Sequence, residues 1–174
     1  MFKKIYLTCA LSLAAMALPA LGMATTDIAS LTSQLNNINA QMSTIKRAWN
    51  VERLHVRMAE KASATLYSTL KNTFDKIIAS DDFTTKMNTV VDMQCDSIVT
   101  NNTSFDSIKA ENSLADFFPN LSMNEFGRKL YTAMANKTYY LRLGQKLSQK
   151  AQEIVSAIKT AQQEAINAQQ AVYQ

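Results

Sequence analysis

Residues 28–49 read IASLTSQLNNINAQMSTIKRAW, and within them Ile28, Leu31, Leu35, Ile38, Met42, Ile45 and Trp49 recur at alternating steps of three and four. Side chains at that spacing share one narrow stripe of an α-helix, the pattern of a helix laid against a partner helix. A strand would alternate by two, and this stretch does not. The stripe therefore calls for a second apolar helical face elsewhere in the chain.

That face lies at the other end. Ser122-Met123-Asn124-Glu125 reads as a capping box, Ser at the cap and Glu three residues on. Beyond it Leu130, Ala133, Lys137, Tyr140, Gly144, Leu147, Ala151, Ile154, Ile158, Ala161, Ala165, Ala168 and Val172 keep the same three-four rhythm. With the two helices antiparallel and Ile28 level with Val172, Leu35 meets Ala165, Met42 meets Ile158 and Trp49 meets Ala151. Apart from the Met42 level, large side chains then face small ones, which lets the helices interdigitate closely.

Between Met23 and Phe118 there is neither glycine nor proline, a composition suited to long helices. Thr25-Thr26-Asp27 offers cap oxygens to the first helix. After Trp49 the apolar phase slips by about a residue and resumes as Leu54, Met58, Ala62, Leu66, Leu70, Phe74 and Ile77 or Ile78. One helix to about Ala79, bent or re-phased near Asn50, accommodates this. Ser80-Asp81-Asp82 closes it and caps a second helix holding Met87, Val90, Val91, Cys95 and Ile98. Asn101 to Ser104 is a polar loop, and Phe105 to Phe118 reads as a short third helix stopped by Pro119. The expected fold is all-α: an elongated antiparallel helical bundle built on two long helices, about 27–79 and 123–172, with a small helical appendage from about 80–121. Either the middle helices cover the remaining faces as a third layer, or another molecule does.

Met1-Phe2-Lys3-Lys4 is a basic start, Ile5 to Leu18 an uncharged apolar run, and Gly22-Met23-Ala24 places small residues at a cleavage site. This is the layout of a secretory signal peptide over 1–24, cut after Ala24 or, second, after Gly22. Cys9 lies inside the apolar run, where it cannot accept a lipoprotein anchor. The mature part, 25–174, is expected to be one helical domain, periplasmic or extracellular. Of the 18 basic residues, removal of Lys3 and Lys4 leaves 16 against 14 acidic ones, so the pI near 9.1 is no nucleic-acid signal. No later run is apolar enough for stable membrane insertion. Cys95, alone after processing, is expected to be buried.

Two basic stripes stand out at four-residue spacing: Arg53, Arg57 and Lys61, and Arg142, Lys146 and Lys150. In the Ile28–Val172 alignment they fall at one height and form a belt for an acidic partner or lipid headgroups, or else a solvated face neutralised by Glu52, Glu60 and Glu153. His55, the sole histidine, lacks companions for a zinc or catalytic site and belongs at the surface. Asp81-Asp82 are helix-start residues; Tyr131, Tyr139 and Tyr140 are packing residues. No catalytic, metal or cofactor constellation is present, so the expectation is a protein that is not an enzyme. Ser33-Gln34, Asn36-Asn37, Asn39, Gln41, Gln162-Gln163 and Gln169-Gln170 stand where Lys/Glu pairs would solubilise a lone helix. Uncharged polar faces pack on other subunits at small desolvation cost, which favours assembly and self-association.

With a leader, a Gln-rich first helix (Ser33-Gln34-Leu35-Asn36-Asn37-Ile38-Asn39-Ala40-Gln41), short middle helices and an Ala/Gln-rich final helix (Ala161-Gln162-Gln163-Glu164-Ala165), the layout resembles the periplasmic minor-pilin or pilus-tip subunits of type IV secretion and conjugation systems. The resemblance is one of layout over nearly the whole mature chain, without a diagnostic motif. It implies a non-enzymatic component in contact with pilin or secretion-channel subunits, or with a recipient cell. The rival reading is a periplasmic helical chaperone or adaptor that cradles client proteins.

Overall fold

A computed structural model describes residues 22–105 and 124–172. They are all-α, with no strand among the described residues: α1 (Gly22–Ala62), α2 (Ala64–Ile78), α3 (Asp81–Thr100) and α4 (Glu125–Val172). The leader up to residue 21, the expected helix beyond Phe105, Pro119 and Ser122 lie outside the described residues.

The stripe of 28–49 forms as expected. Leu35, Ile38 and Ile45 are buried, and Ile28, Leu31, Met42 and Trp49 pack half-buried against the same cluster. That cluster continues through Tyr139, Tyr140, Leu143, Leu147, Ile154, Val155 and Ile158 of α4. A second cluster joins Val56 and Ala59 of α1 to Leu130, Tyr131, Ala133 and Met134 of α4. Early α1 meets late α4 and late α1 meets early α4, so the two long helices run antiparallel.

Three expectations are corrected. First, the apolar phase does not slip at Asn50. Val56 and Ala59 are buried while Leu54 and Met58 are 56% and 59% exposed, so the three-four rhythm runs on unbroken through Trp49, residue 52, Val56 and Ala59. Glu52 occupies the stripe position, and its carboxylate accepts a hydrogen bond from Asn136 Nδ2 at 3.0 Å. Second, the alignment differs. Glu52 meets Asn136 where the Ile28–Val172 pairing puts residue 148, so α4 is displaced by about twelve residues, a little over three helical turns. At this register Ile45 lies level with Gly144, Ile38 with Ala151 and Val56 with Ala133. Large faces small only at those levels: Leu35 now stands near Ile154, Met42 near Leu147 and Trp49 near Tyr140, and Ile45 and Gly144 are both buried.

Third, the first helix does not reach Ala79. It runs straight through Asn50 and ends at Ala62, where Ser63 turns extended (φ −156°, ψ 95°) and its hydroxyl accepts from Leu66 N as the cap of α2. The break lets α2 fold back onto the start of α4: Phe74 packs edge-on against Tyr131, centroids 5.3 Å apart, with Leu70 buried beside them. Likewise α3, the described part of the expected 80–121 appendage, packs into the core. Ser80 caps it as expected, accepting from Phe83 N, with Asp81 and Asp82 in its first turn. Phe83, Met87, Val90, Val91, Cys95 and Ile98 are all buried in the main cluster. Of the two ways to cover the hairpin, the middle helices forming a third layer is the one adopted. Smaller differences occur at the ends: α1 already includes Thr25 to Asp27, because the helix extends back to Gly22, and Asn124 caps α4, its Oδ1 accepting from Gly127 N at 2.8 Å.

Candidate functional site

The displaced register separates the two basic stripes. Arg53 now stands near the level of residue 136, while Arg142 stands six residues on, nearly two turns along the hairpin, and the stripes run away from each other from there. The α4 stripe is spent internally. Arg142 donates to Asn88 Oδ1 at 3.1 Å and lies 5.9 Å from the Phe83 ring centre. Lys146 pairs with Asp92 at 2.9 Å, and Lys150 with Glu153 at 2.9 Å. The hydrogen bond to Asp92 raises the Lys146 pKa, as that to Glu153 raises that of Lys150. These residues fasten α4 to α3 or to itself.

The α1 stripe is different. Arg53 stacks over the Trp49 ring at 5.1 Å, whereas Arg57 and Lys61 are exposed and form no ion pair among the described residues. Alongside them runs a strip of Val51, Leu54 and Met58, spaced three and four and each more than half exposed, of which Leu54 and Met58 were expected on the buried stripe. Three of the largest exposed apolar side chains thus share one strip of one helix, where scattered ones would need no explanation.

The strip borders a groove of about 760 Å³ between late α1 and early α4. Its α1 wall carries Glu52, His55, Met58, Ala59 and Ala62; Phe126, Arg128, Thr132 and Ala133 belong to the α4 wall. Small alanines keep the floor low, and Met58 and Phe126 supply flexible apolar walls. His55 is at the surface, as expected, with its Nδ1 3.1 Å from Glu52 Oε2. Glu125 pairs with Lys129 at 2.7 Å, which lowers the Glu125 pKa. Arg128, exposed, forms no ion pair among the described residues.

Nothing in the groove pairs a nucleophile with a base, and no group of three or more metal-ligating side chains occurs among the described residues. Cys95 is fully buried, and burial pushes its thiol up to about 11, so it is inert packing. No helix among the described residues is long and apolar enough to cross a membrane. The chemistry available at this end of the bundle is an apolar trough with unpaired cations at its edges, a surface suited to another polypeptide. Comparison with known proteins finds no matching family model, no matching curated protein and no matching solved structure.

Proposed function

We propose that the protein is a non-enzymatic periplasmic or secreted structural component of a type IV secretion or conjugative pilus apparatus, acting through protein–protein contacts in assembly or at the tip. The observation that carries this reading is the exposed Val51-Leu54-Met58 strip beside the groove, an apolar surface of the kind that marks contact sites. The layout of leader, Gln-rich first helix, packed middle helices and Ala/Gln-rich last helix supports the apparatus named. Export follows from the leader pattern of 1–24, and removal after Ala24 would leave Thr25-Thr26-Asp27, good capping residues, at the new start of α1.

The test is fractionation of sheared pili from cells carrying a tagged copy. Co-migration with the pilus fraction, and loss of conjugative transfer in a Met58→Asp strain with normal protein levels, are the expected results. A protein that stays in the periplasmic fraction of piliated cells, with transfer unaffected, overturns the reading. The open groove with its methionine wall favours one rival, a periplasmic chaperone or adaptor for client proteins. That rival requires the purified protein to suppress aggregation of an unfolded client at stoichiometric ratios.

A further inference from the structure

The hairpin of α1 and α4 already shows how it accepts a third helix. Along one flank of α4, Lys146, Tyr139, Thr132 and Glu125 follow one another at intervals of seven, hence on one side of the helix. The first two hold α3: Lys146 through Asp92, and Tyr139 through a hydroxyl hydrogen bond to the buried Gln94. The last two line the groove. Along the matching flank of α1, Asn37, Thr44, Val51 and Met58 are again spaced by seven. Asn37 donates to the Ile98 carbonyl of α3 at 2.6 Å, whereas Val51 is open and Met58 lines the groove. Among the described residues, one continuous flank is therefore covered by α3 over its first part and left open over residues 51–62 and 125–136. The uncovered length is about 16 Å, three helical turns.

We propose that this uncovered flank docks an amphipathic helix of a partner protein whose apolar stripe is edged by Asp and Glu. This rests on the protein-contact reading above and adds the chemistry of the occupant. The choice of sign comes from the edges. Lys61, three residues after Met58 and seven after Leu54, and Arg57, three after Leu54, border the strip on α1; Arg128 borders the groove on α4. None of the three has an ion pair among the described residues, while the two acids that line the groove are engaged, Glu52 by Asn136 and Glu125 by Lys129. The filled part of the flank uses the same chemistry. The helix seated there has Met87, Val91, Cys95 and Ile98 as its apolar stripe and presents Asp92 to Lys146 at its edge. A second copy of this chain fits worse, because its own open strip carries the same unpaired cations.

The probes are two synthetic amphipathic peptides of about 18 residues, five turns, with an identical Leu/Ala stripe. One is edged by Glu and the other by Lys; each carries a fluorophore, and binding to the full chain is read by anisotropy at low salt. The Glu-edged peptide is expected to bind at least roughly tenfold more tightly than its twin. Met58→Asp should abolish that binding, and Arg57→Glu with Lys61→Glu and Arg128→Glu should transfer the preference to the Lys-edged peptide. All four side chains border solvent, and circular dichroism checks that each variant keeps its helices. Equal binding of both peptides, binding by neither, or Glu-edged binding that survives Met58→Asp overturns the proposal. So does concentration-dependent dimerisation that Met58→Asp abolishes, since the occupant is then a second copy. Peptide binding without co-fractionation with pili would leave the docking site standing and remove the pilus reading, so the two failures are distinguishable.

Discussion

Glu52 shows how one side chain can disguise a helix. It sits in the apolar stripe with its side chain 15% exposed, held by Asn136 and His55, and its charge makes the stripe look broken at that point. Periodicity alone then shifts attention to Leu54 and Met58, which are the wrong face. Two truncations separate the readings. Ile45→Ala, at a fully buried site, should cost about 2–5 kcal/mol in urea unfolding, while Leu54→Ala should stay within about 0.5 kcal/mol. Buried acids of weak character make a further prediction. Burial raises Cys95 from its ordinary 9.0 to about 11, and Tyr131 and Tyr140 from 10.0 to about 12. The folded state therefore holds these protons more tightly than the unfolded chain does. Their stabilisation is whole below the unfolded values and disappears as pH rises through the folded ones. The urea midpoint should accordingly fall between about pH 9 and pH 12, and a Cys95→Ala variant should show a shallower fall at the lower end of that window.

Helices were legible where a residue type carries its own reason. Ser80 followed by two aspartates marked a cap and became one, and the seven apolar residues of 28–49 marked a buried stripe and became one. Alignment was not legible, because two stripes with a seven-residue repeat offer complementary pairings several turns apart. The polar link from Glu52 to Asn136 marks the pairing adopted, a contact that periodicity does not rank. Cysteines placed at 52 and 136 in a Cys95→Ala background should be joined by a short bis-maleimide, and cysteines at 35 and 165 should not. The break at Ser63 was hidden for another reason: serine both tolerates a helix interior and caps a new one, and only the packing of Phe74 on Tyr131 decides. Ser63→Ala should cost about 0.5–2 kcal/mol in chemical unfolding, the usual value of a lost cap. For the candidate site the outcome was mixed. Arg57 and Lys61 are exposed, whereas Arg142, Lys146 and Lys150 carry the same four-residue spacing and are bound to α3 or to Glu153, a difference that spacing does not show.

At the scale of the whole molecule, three rods share one core, and the charged residues divide between fastening those rods and edging the open groove. Gly144→Leu tests that arrangement. Gly144 is buried in α4, where a leucine has no room, so the packing around it should loosen and the thermal midpoint should drop, with far-ultraviolet helix content largely kept. The order of elements along the chain has a consequence of its own. Glu52 and its mate Asn136 are 84 positions apart. A nascent polypeptide thus leaves the ribosome with its oily first rod bare, and the rod's long counterpart is the last piece to be synthesised. Messages truncated between codons 63 and 124 should yield insoluble, rapidly degraded fragments, even though every one of them contains the intact α1 sequence.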